Sequence, residues 1–204
     1  MAYIISADKI KESMPGYEPA KSELFHSLSA KLADRAFEQA LKERPEETVI
    51  LMSGGAASGK SEYVSVYLEP KLCIVLDGTL PTIEGARIKI QKILKANKKV
   101  EIYAVMPGDF TIAYVAFLNR DRKFSDSHFF RTHSQSRATL LKITKEFPEI
   151  PIHIIISEYD QKNSMELTFY RITFHDYDRM IEFIRIGQYT EEYIRNRILK
   201  DNAA

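Results

Sequence analysis

The chain reads Gly54-Gly55-Ala56-Ala57-Ser58-Gly59-Lys60-Ser61 one residue after an apolar run at 48–52 that has the length of a β-strand. These residues match the pattern G-x-x-x-x-G-K-[ST], in which the glycines let the backbone curl until its N–H groups point inward and bind anions. Lys60 brings a mobile positive charge to the β- and γ-phosphates, and Ser61 brings a hydroxyl to Mg²⁺. We therefore predict that residues 54–61 bind the phosphates of ATP or GTP. The alternative is a glycine-rich turn without a ligand.

Helix and strand patterns alternate along most of the chain. Apolar residues recur at helical spacing at 22–42, 60–68, 84–96, 110–119 and 134–147. Apolar runs of strand length lie at 3–5, 48–52, 72–76, 100–105 and 151–157. The run at 48–52 is apolar throughout, which is typical of a strand buried on both faces of a parallel sheet. We predict an α/β fold of the P-loop NTPase and kinase type, with a mainly parallel sheet flanked by helices.

The segment after residue 157 has a different pattern. Residues 166–174 alternate in polarity, which predicts an edge strand or a hairpin, and 176–186 and 190–199 have helical patterns. We expect a C-terminal α+β extension at 158–204 on a core at 1–157. Since no linker, repeat or low-complexity tract interrupts the sequence, we expect residues 1–204 to form one domain.

Composition predicts a soluble, cytoplasmic protein. Hydrophobic residues make up 45% and charged residues 28%, and the formal net charge is +1. So small a charge gives no field to attract a polyanion, which argues against nucleic acid as a partner. Cys73 is the one cysteine and cannot form an internal disulfide, which favours a reducing compartment. We see no signal peptide in the first residues and no apolar run near the roughly 20 residues that cross a bilayer, so we expect no membrane partner.

The surroundings of the motif narrow the class of nucleotide-binding protein. We find no guanine-reading Asn-Lys-x-Asp sequence of the kind that GTPase switches carry, and 204 residues are few for a motor ATPase. A kinase that uses ATP and Mg²⁺ to phosphorylate a small-molecule acceptor is our main prediction. The alternatives are a nucleotide-dependent binding module, with the segment after 157 as its docking surface, and a kinase of nucleic-acid ends, which the net charge disfavours.

Three further sequence blocks resemble the zeta toxin family of small P-loop kinases. They are Leu76-Asp77-Gly78-Thr79, Arg120-Asp121-Arg122, and an opening block of Ile5-Ser6-Ala7-Asp8-Lys9-Ile10-Lys11 followed by Met14-Pro15-Gly16-Tyr17 and His26. That family phosphorylates UDP-N-acetylglucosamine and has an antitoxin partner in toxin systems. The resemblance covers most of 3–157. It implies an acceptor such as a nucleotide sugar, and an antitoxin or other protein partner.

The order of these blocks differs from that of the family. In zeta-like kinases a strand ending in the catalytic aspartate follows the phosphate-binding loop, whereas here the matching block opens the chain, well ahead of Lys60. We interpret this as a transposed segment. We expect its strand still to lie beside the strand at 48–52, with its carboxyl end at the edge of the sheet where ligands bind.

The resemblance assigns roles to three further polar residues. It makes Asp8 the base that accepts the proton of the acceptor hydroxyl, and it places Asp8, Asp77 and Thr79 at the substrate. Asp77 ends an apolar run, where an acidic residue would support Mg²⁺ together with Ser61. The alternatives are that Asp8 caps a helix that opens at Lys9, and that Asp77 belongs to an ordinary turn at the end of a strand.

The basic residues after 119 are expected to form the lid of a kinase. Arg120 and Arg122 are the catalytic pair by resemblance, because planar guanidinium groups suit the charge of a phosphoryl group in transfer. Lys123 and Arg131 lie in the same segment between helices, and the alternative for all four is a solvated basic face. His133 matches a place where the family often has histidine, although a lone helical histidine is more often structural.

Overall fold

A computed structural model describes residues 1–160 and 166–201 of the chain. Its strands are β1 Tyr3–Ser6, β2 Thr48–Ser53, β3 Ile74–Asp77, β4 Lys99–Pro107, β5 Ile152–Tyr159 and β6 Leu167–Ile172. Its helices are α1 Ala7–Glu12, α2 Ser22–Glu43, α3 Lys60–Tyr63 with a π-helical turn at Val64–Leu68, α4 Ile83–Lys95, α5 Phe110–Leu118, α6 Asp126–Glu146, α7 Tyr177–Ile186 and α8 Glu191–Asp201. The six strands form one sheet in the order β1-β3-β2-β4-β5-β6. All neighbours are parallel except β5 and β6, so the predicted α/β fold with a mainly parallel sheet is confirmed.

Helices cover both faces of the sheet, which explains why the inner strands are apolar throughout. Helices α2, α4, α6 and α7 pack on the face that holds Leu51 and Ile74. On the other face, Tyr63 and Leu68 from α3 and its π-helical turn pack against the strands. The segment after 157 adds the antiparallel edge strand β6, as predicted, and α8 packs on α5 and α6. Within the described ranges, no helix has the length and apolar character needed to cross a membrane.

Strand β1 lies at the edge of the sheet beside β3, so the prediction that it lies beside β2 is wrong. Burial explains the difference. Ile74 and Val75 of β3 are 0% exposed and suit an interior strand, whereas Tyr3 of the four-residue β1 is 40% exposed and suits an edge. The register pairs Ser6 with Asp77, so both strands end at the same level. Asp77 and the nearby Asp8 therefore lie at the same end of the sheet, where the carboxyl ends of β1 and β3 meet.

Helix α6 begins at Asp126, well ahead of the start predicted at 134, and the connection before it is correspondingly short. The polar residues of this stretch had indicated a loop. However, His128, Thr132 and His133 are buried: Thr132 and His133 form hydrogen bonds inside the molecule, and the ring of His128 stacks on that of Phe124. As a consequence, Arg131 lies on a helix and not in the segment between helices.

Candidate functional site

A cavity of about 340 Å³ lies at the carboxyl ends of β2 and β3, beside the start of α1. Its walls include the predicted site residues that come from separate parts of the sequence, namely Asp8, Lys60, Ser61, Asp77, Thr79, Arg120 and Arg122. Residues 56–59 also line the cavity. Gly54 and Gly55 lie behind it, against Val105 and His133 respectively.

The 54–61 loop curls because its glycines adopt backbone angles that other residues avoid. The φ angle is 138° at Gly54 and 80° at Gly59, in the region where a Cβ atom is disfavoured. A Cβ on Gly54 would also lie only 2.2 Å from the carbonyl oxygen of Val105. Ala57 has a positive φ of 57°, which costs a non-glycine residue about 1–2 kcal/mol. Backbone strain of this kind is concentrated at functional sites.

Lys60 begins α3 and folds back over the loop. Its Nζ donates hydrogen bonds to the Gly55 carbonyl oxygen at 2.6 Å and to Ser58 Oγ at 3.3 Å. Burial lowers the pKa of Lys60 to about 8, although the negative charge of Asp77 opposes the shift. The buried amine is thus hydrogen-bonded to neutral oxygens, and an anion in the loop would stabilise its charged form.

Ser61 and Asp77 connect the start of α3 to the end of β3. Ser61 Oγ donates to Asp77 Oδ2 at 2.8 Å. Burial raises the pKa of Asp77, while the charge of Lys60 and the hydroxyl of Ser61 act in the opposite direction. The described residues contain no group of three or more His, Cys, Asp or Glu that could hold a metal. Mg²⁺ needs only one or two carboxylates when phosphates and waters supply its other ligands, so this pair fits a magnesium ion that arrives with a nucleotide.

Asp8 lies in the first turn of α1, just past the end of β1. Its Oδ1 is 2.7 Å from Lys11 Nζ, and its Oδ2 is 2.8 Å from Arg122 Nη1. Burial raises the pKa of Asp8, but the charges of Arg122 and Lys11 outweigh burial and the net shift is downward. The carboxylate is therefore ionised at neutral pH. Because the N-cap of α1 is Ser6, the alternative in which Asp8 caps the helix is wrong.

Lys11 is a functional candidate that the sequence did not reveal. It is 0% exposed, donates to Ser22 Oγ at 3.3 Å and lies over the ring of Phe124 at 4.7 Å. A short polar helix such as α1 carries no periodic signal for a buried lysine. The one available sign was its position one helical turn after Asp8, where an ion pair can form.

The four cations of the predicted lid have different positions. Arg120 and Arg122 line the cavity, and Arg122 pairs with Asp8. Burial lowers the pKa of Lys60 most, and the charge of Arg120, which lines the cavity together with Lys60, lowers it further. Lys123 turns away and donates to the Leu118 carbonyl oxygen at 2.8 Å, and Arg131 is exposed on α6.

Helix α6 holds the 54–61 loop from behind, which sequence reasoning also missed. The Ala56 N–H donates to Thr132 Oγ1 at 3.0 Å, and His133 Nε2 lies 2.8 Å from the Ala56 carbonyl oxygen. Burial, and next the charge of Arg137, lower the pKa of His133 well below its usual value. His133 is therefore neutral and donates from Nε2. Tyr159 adds a third contact, since its hydroxyl donates to the Ala57 carbonyl oxygen at 2.9 Å.

The site combines groups that suit phosphate chemistry. A curled loop holds a buried amine, a hydroxyl and a carboxylate lie together beside it, and an ionised aspartate shares the same cavity. No protein-family model matches the chain, and no curated protein matches it either. The resemblance to the zeta toxin family therefore depends on the quoted motifs and stays a prediction.

Replacing Gly55 by alanine is expected to lower the free energy of unfolding by about 1–3 kcal/mol, the usual cost of overpacking. The added Cβ would lie 2.2 Å from the ring of His133, which is 1% exposed and has little room to move. Urea denaturation measures the change. Gly78→Ala is the matched control, because a Cβ there meets nothing within 4 Å. Equal effects of the two substitutions would contradict the contact between α6 and the loop.

Proposed function

We propose that the chain is a P-loop kinase that transfers the γ-phosphoryl group of ATP to a hydroxyl group of a small molecule, with Mg²⁺ as cofactor. One observation carries the proposal: the ionised carboxylate of Asp8 lines the same cavity as Lys60 and the Ser61–Asp77 pair. A loop that only bound nucleotide would not require a carboxylate held in this position. A transferase requires it, because the acceptor hydroxyl must lose its proton.

In the proposed reaction, the backbone of the 54–61 loop and Lys60 hold the β- and γ-phosphates. The acceptor oxygen bonds to the γ-phosphorus as the bond to the β-phosphate oxygen breaks, and the hydroxyl proton passes to Asp8. The products are ADP and the phosphorylated acceptor. Mg²⁺, with Ser61 and Asp77 as its protein ligands, would neutralise charge on the phosphates.

Asp8 has to exchange one partner before it accepts this proton, since Lys11 and Arg122 contact its two oxygens. The side chain of Arg122 is 28% exposed and that of Lys11 is 0% exposed, so Arg122 is the partner with room to move. In our proposal Arg122 shifts onto the γ-phosphoryl oxygens, where its planar fork stabilises the developing charge. Lys11 keeps the carboxylate oriented.

The test is a turnover assay. The purified chain with ATP, Mg²⁺ and UDP-N-acetylglucosamine, the acceptor that the family resemblance implies, is expected to release ADP and a sugar nucleotide that carries one more phosphoryl group by mass spectrometry. A broad panel of hydroxyl-bearing metabolites extends the assay to other acceptors. If ATP binds but no acceptor in the panel is phosphorylated, the kinase proposal is wrong. A cytoplasmic location and an antitoxin or other protein partner stay predictions.

A nucleotide-dependent binding module is a second candidate, and one contact favours it. A Cβ on Gly59 would lie 3.1 Å from the ring of Phe169 and 3.2 Å from the side chain of Leu167, so strand β6 packs against the end of the loop. A change in the conformation of the 54–61 loop would therefore alter the packing of β6, which belongs to the C-terminal extension. Capture of a protein partner that depends on ATP, together with ATP turnover that requires no acceptor, would favour this candidate over the kinase.

A further inference from the structure

A second cavity, of about 290 Å³, lies at the carboxyl ends of β4 and β5 and shares no lining residue with the first. The start of α5 and the connection between α7 and α8 close it. Its walls expose about as much polar as apolar surface, and the aromatic and aliphatic side chains among them include Phe110, Phe183, Ile186, Tyr189 and Tyr193. Its volume is near the lower end of the range for small-molecule sites, about 300–1,000 Å³.

Arg137 is the unusual residue of this cavity. It is 8% exposed, and its guanidinium carbon lies 5.2 Å from the ring centre of Phe110 and 5.2 Å from that of Tyr189, beside two rings whose centres are 5.8 Å apart. Its Nη1 donates to the Gly187 carbonyl oxygen at 3.1 Å. Among the described residues, no carboxylate lies within ion-pair distance of Arg137. Burial of a cation without a counter-charge costs free energy, which is a feature of functional sites.

Two guanidinium nitrogens of Arg137, Nε and Nη2, have no hydrogen-bond partner among the described residues. In the described parts of the chain, every side-chain nitrogen or oxygen that is wholly buried has a hydrogen-bond partner. Because the side-chain hydrogen bond of Arg137 is made by Nη1, Nε and Nη2 each keep some accessible surface, and Arg137 is a lining residue of this cavity. Two parallel N–H groups of this kind match the two oxygens of a carboxylate.

The other charged residues of the cavity are already engaged with each other or with the backbone. Asp109 caps α5 by accepting from the N–H groups of Thr111 and Ile112 at 2.7 and 3.1 Å. Asp201 accepts from Thr111 Oγ1 at 3.1 Å and from Arg197 Nε at 3.2 Å. These contacts leave Arg137 as the cation that a ligand would meet among the rings.

We propose that this cavity binds a small organic carboxylate, with its two oxygens on Arg137 and its apolar body between the aromatic side chains. The site is separate from the proposed kinase site, so the two proposals can fail independently. Benzoate is a suitable probe, and benzyl alcohol has the same ring without the charge. For ligands of this size a Kd of about 1–10 mM is expected for benzoate, at least about tenfold below that of benzyl alcohol.

The experiment uses ligand-detected NMR and the NMR signals of the tyrosine rings in the whole chain. Both are recorded at pH 7, with and without ATP and Mg²⁺. We expect benzoate to shift the signals of Tyr189 and Tyr193, ATP not to displace it, and Arg137→Met to remove its advantage over benzyl alcohol. Arg87→Gln is the control that should keep that advantage, because Arg87 pairs with Glu146 and does not line the cavity. Equal binding of the two probes to the unaltered chain would overturn the proposal without any variant. The proposal is also wrong if ATP displaces benzoate or if benzoate binding does not saturate. It is equally wrong if folded Arg137→Met keeps the original preference for benzoate over benzyl alcohol.

Discussion

Replacing Asp8 by asparagine is expected to lower kcat for phosphoryl transfer by about 10²–10⁴-fold, the usual contribution of a general base. Asparagine keeps the shape of the side chain but cannot take up the acceptor proton. The Kd for ATP is expected to stay within about threefold of its original value, because the loop, Lys60 and Ser61 are untouched. Steady-state kinetics and isothermal titration calorimetry measure the two quantities on the same preparation.

The control for this variant is Asp34→Asn. Asp34 lines the same cavity, and its carboxylate pairs with Lys89 at 3.0 Å, so the substitution removes a similar charge from a position without a proposed role in the chemistry. Asp8→Asn leaves the buried Lys11 without its carboxylate, which destabilises the fold. ATP binding therefore serves as the check that the variant is folded. A variant that binds ATP and turns over at the original rate would remove Asp8 from the mechanism.

The affinity for ATP is expected to depend on pH through Lys60. Bound phosphate keeps the amine charged, while the free protein loses this proton as the pH rises through the Lys60 pKa of about 8. Above that pH, the complex takes up a proton when ATP binds, so the affinity falls as the pH rises. Below that pH, Lys60 is charged in both the free and the bound protein and does not make the affinity depend on pH. Linkage gives a rise in Kd of about tenfold for each pH unit above 8, until the pKa of the bound state is reached.

Lys60→Met is expected to raise the Kd for ATP at pH 7 by about 10²-fold and to abolish the rise of Kd above pH 8, because the titrating group is gone. Calorimetry between pH 7 and 9.5 measures both effects. Lys89→Met is the matched control, since Lys89 lines the same cavity and pairs with Asp34. It should keep the pH dependence. A Kd that does not change with pH in the unaltered chain would contradict a Lys60 pKa of about 8, and an unchanged Kd in Lys60→Met would show that Lys60 does not hold the phosphates.

The fold class and the 54–61 loop could be predicted from the sequence because both depend on local signals. A continuous apolar run, three glycines and a lysine within 14 residues fix a buried strand and a tight curl that follows it. The structure shows that Gly54 and Gly59 indeed have positive φ angles. Asp77 could be placed at the same edge of the sheet by the same reasoning, since it ends the next strand.

Other parts of the site could not be predicted because their signals are not local. Neither the position of β1 beside β3 nor the burial of Lys11 follows from hydrophobic periodicity. The early start of α6 was missed because many residues of its first turns are polar, yet His128, Thr132 and His133 among them are buried, and the last two hold Ala56. Polar side chains with internal partners resemble loop sequence until the partners are known.

Strand β1 is joined to the sheet by its most distant pairing along the chain, in which Ile5 lies opposite Leu76. The strands that frame the 54–61 loop pair across shorter stretches of sequence. Closing a longer loop costs more conformational entropy, so contacts between residues far apart in the sequence are expected to form late in folding. The order of assembly expected from this topology is therefore the 54–61 loop with its flanking strands first, and β1 with the helix that carries Asp8 afterwards. If the proposed function is right, a chain caught between these two steps would have the phosphate-binding loop but not yet the proposed base.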